Sequence, residues 1–174
     1  AYVEAMLDIC RRESIDTIFP CWDPDVYVLS KNKNRFAEQG VLIPVPGIDI
    51  TLAALDKYQT VLAARKLGFP CPRTYLCASE QDARNIAAEE GFPLVIKPRF
   101  TSGSKGMAVV HNIRDLLGHL AHAPDGDHSP MLQEYIPGGE KESLQFVIDG
   151  DGNMCFAFHK KRLRSFRINA RFGS

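Results

Sequence analysis

The segment from Phe92 to Met107 constrains the fold of this chain more than any other, because it predicts two strands joined by a glycine-rich loop. It reads FPLVIKPRFTSGSKGM, with an apolar run over 94–96 that ends in Lys97 and a loop of small residues over 101–106. Backbone N–H groups of such a loop, together with a lysine ammonium, can bind a polyphosphate. The chain contains neither the Walker A pattern Gly-x-x-x-x-Gly-Lys-Ser/Thr nor the Rossmann pattern GxGxxG.

Composition narrows the class of protein. A chain of 174 residues corresponds to one ordinary domain or two small ones, and 45% hydrophobic residues are enough for a core. A net charge of zero argues against a nucleic-acid-binding protein. The five cysteines are an odd number without a C-x-x-C pair, which predicts reduced thiols. No signal peptide is visible and no apolar run approaches the roughly 18 residues of a membrane span, so we expect a cytoplasmic protein that binds no membrane.

The first fifty residues alternate between helical and strand-like patterns, which is typical of an α/β domain with a parallel sheet. We expect helices over 3–12 and 29–39, and short buried strands over 16–20 and 41–45. A longer helix is predicted over 51–67. Helical sequence is already under way at Ala1, and the last residues follow a strand directly, so we expect a part of a longer protein.

The second half predicts a mixture of strands and helices. Ser79 is expected to cap a helix that runs to Glu90, with Asp82 at its third helical position. A second helix is expected over 113–121. The segment 149–153 reads DGDGN and predicts the turn of a hairpin rather than a calcium loop. The expected strands are 74–77, the two around the glycine-rich loop, 131–136, 144–148 and 154–159.

Each candidate site residue also has a structural interpretation. Lys97 alone is equally consistent with a lysine that reaches solvent at a strand end, and the loop alone with a flexible hairpin connection. Their combination favours phosphate binding, since a point charge then lies beside backbone donors. Asp56 and Lys57 fall within the predicted helix over 51–67, where a charged pair usually forms a solvated face.

Two later segments are further candidates. The strand over 131–136 leads into Pro-Gly-Gly, and this arrangement is consistent either with an ordinary edge strand or with a slot for a nucleotide base. Glu140 and Glu142 follow and are candidates to accept hydrogen bonds from ribose hydroxyls. The basic run HKKRLR over 159–164 favours several cations that face an anionic ligand. His159 is interpreted as background.

Together these segments resemble the ATP-grasp superfamily, close to its carbamoyl-phosphate-synthetase-like branch. The resemblance rests on the order and spacing of LDKYQT, GFPCPRTY, GFPLVIKPRFTSGSKGMAVV and LQEYIPGGE, which cover about 55–146. It implies an α/β chain with an α+β grasp fold. Residues 1–50 would be the end of a Rossmann-like pre-grasp domain, and 51–174 the N-terminal part of the ATP-grasp domain.

The resemblance also implies roles for individual residues. Lys57 and Lys97 would touch the phosphates of ATP. Adenine would be held at the hinge of the fold, mainly through backbone groups, and Glu142 is preferred to Glu140 for ribose. Lys160, Arg162 and Arg164 would line the phosphate and substrate site. The implied nucleotide-binding residues are Lys57, Lys97, Ser102, Gly103, Ser104, Lys105, Gly106, Gln133, Glu134, Tyr135, Ile136 and Glu142.

The implied chemistry is activation of a carboxylate as an acyl phosphate, followed by attack of an amine or thiol. The partners would be small-molecule carboxylate and amine substrates. The family requires Mg²⁺, whose ligands we expect beyond Ser174, so we expect these 174 residues alone to lack turnover. Two other functions stay open: a non-catalytic ATP-sensing module and an α/β scaffold domain. An acidic–x–Asn pair on a later strand would favour the enzyme, and the lack of any nucleotide effect on thermal stability would favour the scaffold.

Overall fold

The computed structural model describes residues 1–123, 129–138 and 142–163. The chain divides into two compact units, Ala1–Tyr135 and Ile136–Ser174. The helices are α1 Tyr2–Glu13, α2 Asp23–Lys31, α3 Lys33–Ala37, α4 Ile48–Leu55, α5 Lys57–Lys66, α6 Glu80–Glu90 and α7 Ile113–Leu120. The strands are β1 Thr74–Leu76, β2 Leu94–Lys97, β3 Ala108–Val110, β4 Met131–Glu134, β5 Glu142–Ile148 and β6 Met154–Lys161. Among the described residues, none of these helices is long and apolar enough to cross a membrane.

The two strands predicted over 16–20 and 41–45 are reduced to a single parallel bridge between Thr17 and Leu42. Ile18 N donates to Leu42 O at 3.0 Å, and Leu42 N donates to Asp16 O at 2.7 Å. Proline has no N–H to donate, and prolines at 20, 44 and 46 stop the ladder on both sides of the bridge. The prediction of strands was therefore wrong in extent, although the parallel direction is confirmed.

A buried apolar cluster nevertheless forms in this segment and packs α1, α2 and α3 against the bridge. Phe36 is fully buried at its centre. The prediction of one helix over 29–39 was wrong at its start and in its continuity. Helix α2 already begins at Asp23, and Asn32 separates α2 from α3. The side chain of Asn32 donates to Val28 O at 2.8 Å. The cluster consists of Leu7, Cys10, Leu29, Phe36, Val41, Ile43 and Val45.

The helix predicted over 51–67 is also two helices. Asp56, with φ −92° and ψ 107°, ends α4 and begins α5. Its carboxylate accepts the backbone N–H of Tyr58 at 2.9 Å, which caps α5. The break directs α5 away from α4 and places Lys57 at the first position of the new helix.

The main sheet of the first unit has the order β1-β4-β2-β3, with all neighbours antiparallel. Helices α6 and α7 pack on it, and the predicted cap is confirmed, since Ser79 Oγ accepts from Asp82 N at 3.1 Å. Strands β2 and β3 flank the glycine-rich loop as predicted. The core between sheet and helices consists of Cys77, Ala83, Ile86, Leu94, Ile96, Val110, Leu116 and Leu132.

The second unit contains the predicted hairpin of β5 and β6, with the register running from Glu142 opposite Lys161 to Ile148 opposite Met154. Asp149 closes the turn by accepting from the backbone N–H groups of Asp151 and Asn153, both at 2.9 Å. The division predicted after residue 50 stays a prediction.

Candidate functional site

Lys97 lies at the end of β2, where its side chain is half-buried rather than extended into solvent. Its Nζ donates to Gln133 Oε1 at 2.7 Å. The amide of Gln133 in turn donates through Nε2 to Thr74 Oγ1 at 2.7 Å, and Thr74 Oγ1 donates to Pro72 O at 2.8 Å. This chain of hydrogen bonds crosses β2, β4 and β1 and fixes the position of the ammonium above the sheet.

Lys57 lies at the start of α5 and reaches the beginning of the glycine-rich loop. Its Nζ donates to Arg99 O at 3.0 Å and to Thr101 O, and it lies 3.4 Å from Thr101 Oγ1. Its backbone N–H also donates to Arg99 O at 3.3 Å. The lysine from a helix and the loop that follows β2 are thus joined directly, although 42 positions separate Lys57 from Arg99 in the sequence.

The two lysines share an electrostatic environment that disfavours their own charge. Burial lowers the pKa of Lys97, and the positive charge of Lys57 lowers it further. Burial also lowers the pKa of Lys57, opposed by the negative charges of Asp23 and Asp56. An anion placed between the two ammonium groups would relieve both effects. The structure therefore brings Lys57 within electrostatic range of Lys97, and their contact with phosphate stays a prediction.

The loop over 102–106 is exposed and strongly turned. Gly103, Ser104 and Gly106 all have positive φ, at 65°, 61° and 71°. Gly106 also passes close to the ring of Pro98, because a Cβ at this position would lie 2.9 Å from Pro98 Cγ. A side chain at 106 would therefore push the loop away from the end of β2, whereas glycine allows the close approach.

Asp56 and Arg99 form an ion pair at the base of this loop. Arg99 Nε donates to Asp56 Oδ1 at 3.1 Å, and an Nη atom donates to Oδ2. The side chains are only 7% and 13% exposed, respectively. The interpretation of Asp56 as part of a solvated helix face was therefore wrong, because the carboxylate turns inward to cap α5 and meet Arg99.

The four residues predicted to hold adenine differ in how much of their backbone is available. Strand β4 lies between β1 and β2, so the backbone of Gln133 and Glu134 takes part in the ladders. Glu134 N donates to Arg73 O at 2.9 Å, and the Glu134 carboxylate accepts from Arg73 N at 3.1 Å. Tyr135 and Ile136 follow the end of the strand and are exposed. Their contact with adenine stays a prediction.

The hairpin carries the remaining predicted site residues. Glu142 Oε2 lies within hydrogen-bond distance of His159 Nε2, at 3.0 Å. Glu142 lies on the same face of the hairpin as Lys161. Lys160 is opposite Ser143 and therefore lies on the other face. Arg162 is exposed. Glu140 and Arg164 lie outside the described residues.

Within 1–123, 129–138 and 142–163, no group of three or more His, Cys, Asp or Glu side chains is placed to hold a metal ion. The described residues therefore offer no cluster suited to Mg²⁺, and its expected location beyond Ser174 stays a prediction.

Four contributing residues were missed at the level of sequence. They are Asp56, which contacts Arg99, and Arg99, Thr74 and His159, which contact Lys57, Gln133 and Glu142, respectively. A capping pattern at Asp56 was the one local signal, since Asp before a helical run favours an N-terminus. The contacts of Arg99 and Thr74 depend on which elements are neighbours in the folded chain, whereas the contact of His159 with Glu142 follows from the register of the predicted hairpin.

The curated relatives that this chain matches include D-alanine–D-alanine ligases. The protein of Pseudomonas entomophila (strain L48) is 38% identical over 108 residues, which are 59% of this chain and 34% of the ligase. The matching ligase of Pseudomonas fluorescens (strain Pf0-1) is 36% identical over 147 residues, or 79% of this chain and 44% of the relative. The chain thus spans less than half the length of these relatives.

Solved structures of low sequence identity share the fold. Biotin carboxylase from Campylobacter jejuni, as a β-γ-ATP complex, superposes with a TM-score of 0.71 at 23% identity, covering 90% of this chain and 36% of that one. The biotin carboxylase domain of Hydrogenobacter thermophilus 2-oxoglutarate carboxylase, in complex with MgADP, ADP and bicarbonate, gives 0.68 at 20% identity, covering 90% and 35%. The predicted α+β fold is confirmed by these neighbours.

The family models divide the chain in sequence order. Residues 1–44 match the N-terminal domain described as PylC-like. Residues 54–172, well over half of the chain, match the ATP-grasp domain, and this range contains both lysines and the glycine-rich loop. The resemblance in the four sequence motifs is thereby confirmed, and the chain belongs to the ATP-grasp family.

Proposed function

We propose that this chain supplies the ATP-binding part of a ligase that activates a carboxylate as an acyl phosphate and transfers the acyl group to an amine or thiol. The observation that carries the proposal is the convergence of Lys57 and Lys97 at the base of the glycine-rich loop. Each lysine is partly withdrawn from water, and their pKa values are lowered by burial. A bound triphosphate would supply the negative charge that this site lacks.

In the proposed reaction, an oxygen of the substrate carboxylate attacks the γ-phosphorus of ATP and the bond to the β-phosphate oxygen breaks. ADP leaves, and the acyl phosphate remains. The amine nitrogen or thiol sulfur then attacks the acyl carbon, phosphate departs, and the nucleophile loses a proton. In this proposal Lys57 and Lys97 neutralise phosphate charge, and backbone N–H groups over 102–106 bind the β- and γ-phosphates.

The remaining predicted contacts belong to the same proposal. Tyr135 and Ile136 hold adenine, Glu142 accepts from ribose hydroxyls, and the cations of the last segment, Lys160, Arg162 and Arg164, face the acyl phosphate. Glu142 and Lys160 lie on opposite faces of the hairpin, and this argues against contact of both residues with one bound nucleotide. His159 orients the Glu142 carboxylate through its hydrogen bond.

Mg²⁺ would supply charge neutralisation between the phosphates when bound. Since the described residues contain no cluster suited to hold it, no step is assigned to the metal through this part of the chain. The solved structure with MgADP supports a requirement for Mg²⁺ in the proposed activity.

The names of the relatives support a ligase over the other two candidate functions. D-alanine–D-alanine ligase names a protein that joins one amino acid to another, which is the joining of a carboxylate and an amine. A non-catalytic ATP-sensing module is not favoured by these comparisons. The substrate pair of this protein is small molecules of those two chemical classes.

ATP binding tests the site. In calorimetric titration, we expect Lys97→Ala to bind ATP about ten- to a hundredfold more weakly, since a charge-assisted contact is worth about 1.5–3 kcal/mol. Lys66→Ala is the matched control, because Lys66 is exposed in the last turn of α5 and should leave the affinity unchanged. Equal ATP affinity for Lys97→Ala and the unsubstituted protein would contradict the assignment.

Acyl phosphate formation tests the chemistry. Hydroxylamine converts an acyl phosphate to a hydroxamate, so incubation of a protein that extends beyond Ser174 with ATP, Mg²⁺ and candidate carboxylates should yield a hydroxamate and ADP in equal amounts. D-alanine is the first carboxylate to try. ATP binding without any ADP release in the presence of carboxylates would count against ligation and favour the sensing module.

A further inference from the structure

Asp56 performs three tasks at one point of the chain. It interrupts the helix predicted over 51–67, it accepts the backbone N–H of Tyr58 at 2.9 Å, and it pairs with Arg99 through both carboxylate oxygens. Asp56 is buried, with 5% of its surface exposed. A buried carboxylate that meets a guanidinium at both oxygens has a fixed direction as well as a partner.

Arg99 lies between the two elements of the phosphate site. It is two residues after Lys97 and two before Thr101, at the start of the loop. Its guanidinium lies 5.1 Å from the ring centroid of Phe100 and 5.9 Å from that of Tyr58. Its carbonyl accepts from both the backbone N–H and the ammonium of Lys57. Residues at the start of α5 therefore contact both the side chain and the backbone of Arg99.

These contacts form a closed arrangement. Asp56 pairs with the guanidinium of Arg99, and the next residue, Lys57, donates hydrogen bonds to the Arg99 carbonyl. Two attachments at separate points restrict both sliding and rotation of α5 relative to the end of β2. Lys57 is carried on α5 and Lys97 on β2, so the arrangement sets the separation of the two ammonium groups.

Ionised Asp56 also supports the charge of Lys57. Burial, the largest single influence on Asp56, raises its pKa. Hydrogen bonds from Arg99 and Tyr58 outweigh burial and hold that pKa below its ordinary value. The negative charge of Asp56 then raises the pKa of Lys57 against the effect of burial. Loss of the Asp56 charge would leave Lys57 with less support for its protonated form.

We propose that Asp56 is a positioning residue for the triphosphate: its buried ion pair with Arg99 fixes helix α5 to the base of the glycine-rich loop and so fixes the position of Lys57 relative to Lys97. The proposal rests on the proposed function, since it assumes that the two lysines bind ATP. It adds a residue that touches no ligand and acts through Arg99 and Lys57.

A purely structural role makes a different prediction. If Asp56 were only a helix cap, its replacement would lower stability and weaken every ligand of the fold together. A positioning role weakens the phosphate contacts selectively and leaves the nucleoside part unaffected. The comparison of ATP with adenosine therefore separates the two roles, because adenosine has no phosphate.

The experiment uses Asp56→Asn, which keeps the size of the side chain and an oxygen able to cap α5 but removes the charge. We expect the affinity for ATP, measured by titration calorimetry, to fall about tenfold or more. The affinity for adenosine, measured by competition with a fluorescent nucleotide, should change less than twofold. Glu4→Gln is the matched control, because it removes the carboxylate of the exposed pair with Arg35 at 2.6 Å and should change neither affinity.

Arg99→Lys is the second variant and leaves the Asp56 cap untouched. Lysine keeps the positive charge but cannot bind both carboxylate oxygens in parallel. We expect the same selective loss for ATP, and we expect the double variant to lose less than the sum of the single effects, since both act through one ion pair. If Asp56→Asn does not fold, Arg99→Lys alone decides the question.

Equal losses for ATP and adenosine, or a lower melting temperature with unchanged ATP affinity, would show that Asp56 is only a cap and overturn the proposal. Additive losses in the double variant would overturn the role of the ion pair. Failure of the unsubstituted protein to bind ATP is a separate outcome, which would contradict the proposed function itself.

Discussion

The four-stranded sheet of the first unit and the two-stranded hairpin of the second contain the same kind of secondary structure but differ in what stabilises it. Helices α6 and α7 pack on the sheet, and Cys77, Leu116 and Leu132 are fully buried. The described hairpin has no buried residue, and Phe146, Phe156 and Phe158 are 42–56% exposed. A regular strand pattern therefore does not by itself indicate a core. The sheet depends on contacts distant in sequence, whereas the hairpin depends on its turn and cross-strand pairs.

The largest difference in the free energy of unfolding is expected between a leucine-to-alanine substitution in the sheet unit and one in the hairpin. Leu116→Ala in α7 removes a side chain that is 0% exposed, and a cavity of this kind costs about 2–5 kcal/mol in the free energy of unfolding. Leu144→Ala in β5 removes a side chain that is 62% exposed and should change it by less than about 0.5 kcal/mol. Urea denaturation of both variants provides the measurement. Similar losses would mean that the hairpin contributes to a common core.

An intermediate difference is expected in how the substitution of each of two cysteines, Cys77 and Cys155, changes stability at alkaline pH. Burial raises the pKa of the Cys77 thiol from 9.0 to about 11. The folded protein therefore holds this proton more tightly than the unfolded chain. The resulting stability is complete below pH 9 and is lost as the pH rises through about 11, by at most about 2–3 kcal/mol.

Cys77→Ala removes this contribution, so its destabilisation relative to the unsubstituted protein should shrink between pH 8 and pH 11. Cys155→Ala, at an exposed position of the hairpin, is the control and should show no such change. Thermal unfolding at both pH values checks the prediction. A pH-independent effect of Cys77→Ala would show that the thiol has the same pKa in the folded and unfolded states.

The smallest effect is expected at the hairpin turn. Hydrogen bonds from the backbone and side chain of Asn153 lower the pKa of Asp149. Its stabilising effect is present above its ordinary pKa and is lost as the pH falls through the lowered value. Asp149→Ala should shift the amide signals of Asp151 and Asn153 in NMR spectra while global stability stays unchanged. Asp151→Ala is the control, and an equal shift of the Asn153 amide signal in that variant would contradict the role of the Asp149 carboxylate in the turn.

Local signals in the sequence predicted much of the fold. The strands around the glycine-rich loop, the Ser79 cap and the hairpin turn are all determined by residues within a few positions of one another. The errors have equally definite causes. Prolines truncated two expected strands, and the side chains of Asn32 and Asp56 divided two expected helices. In each case a single residue overrode a pattern of apolar spacing.

The candidate site was predictable in part for the same reason. Lys97 and the loop are adjacent in sequence, and the position of Lys57 came from the family resemblance. Thr74 and Arg99 could not be found in this way, because their contacts require strand and helix neighbours that lie 43 to 59 positions away. Glu142 and Lys160 illustrate the complementary problem, since strand alternation separates residues that the sequence grouped together.

The amide of Gln133 has a consequence for the charge of the phosphate site. It offers its oxygen to Lys97 and its nitrogen to Thr74, so it orients the ammonium without neutralising it. A glutamate would match this shape almost atom for atom, but it would act as a resident anion in competition with any incoming phosphate. It would also lose the donor that Thr74 accepts. A neutral side chain here keeps the full positive charge of Lys97 available to a ligand.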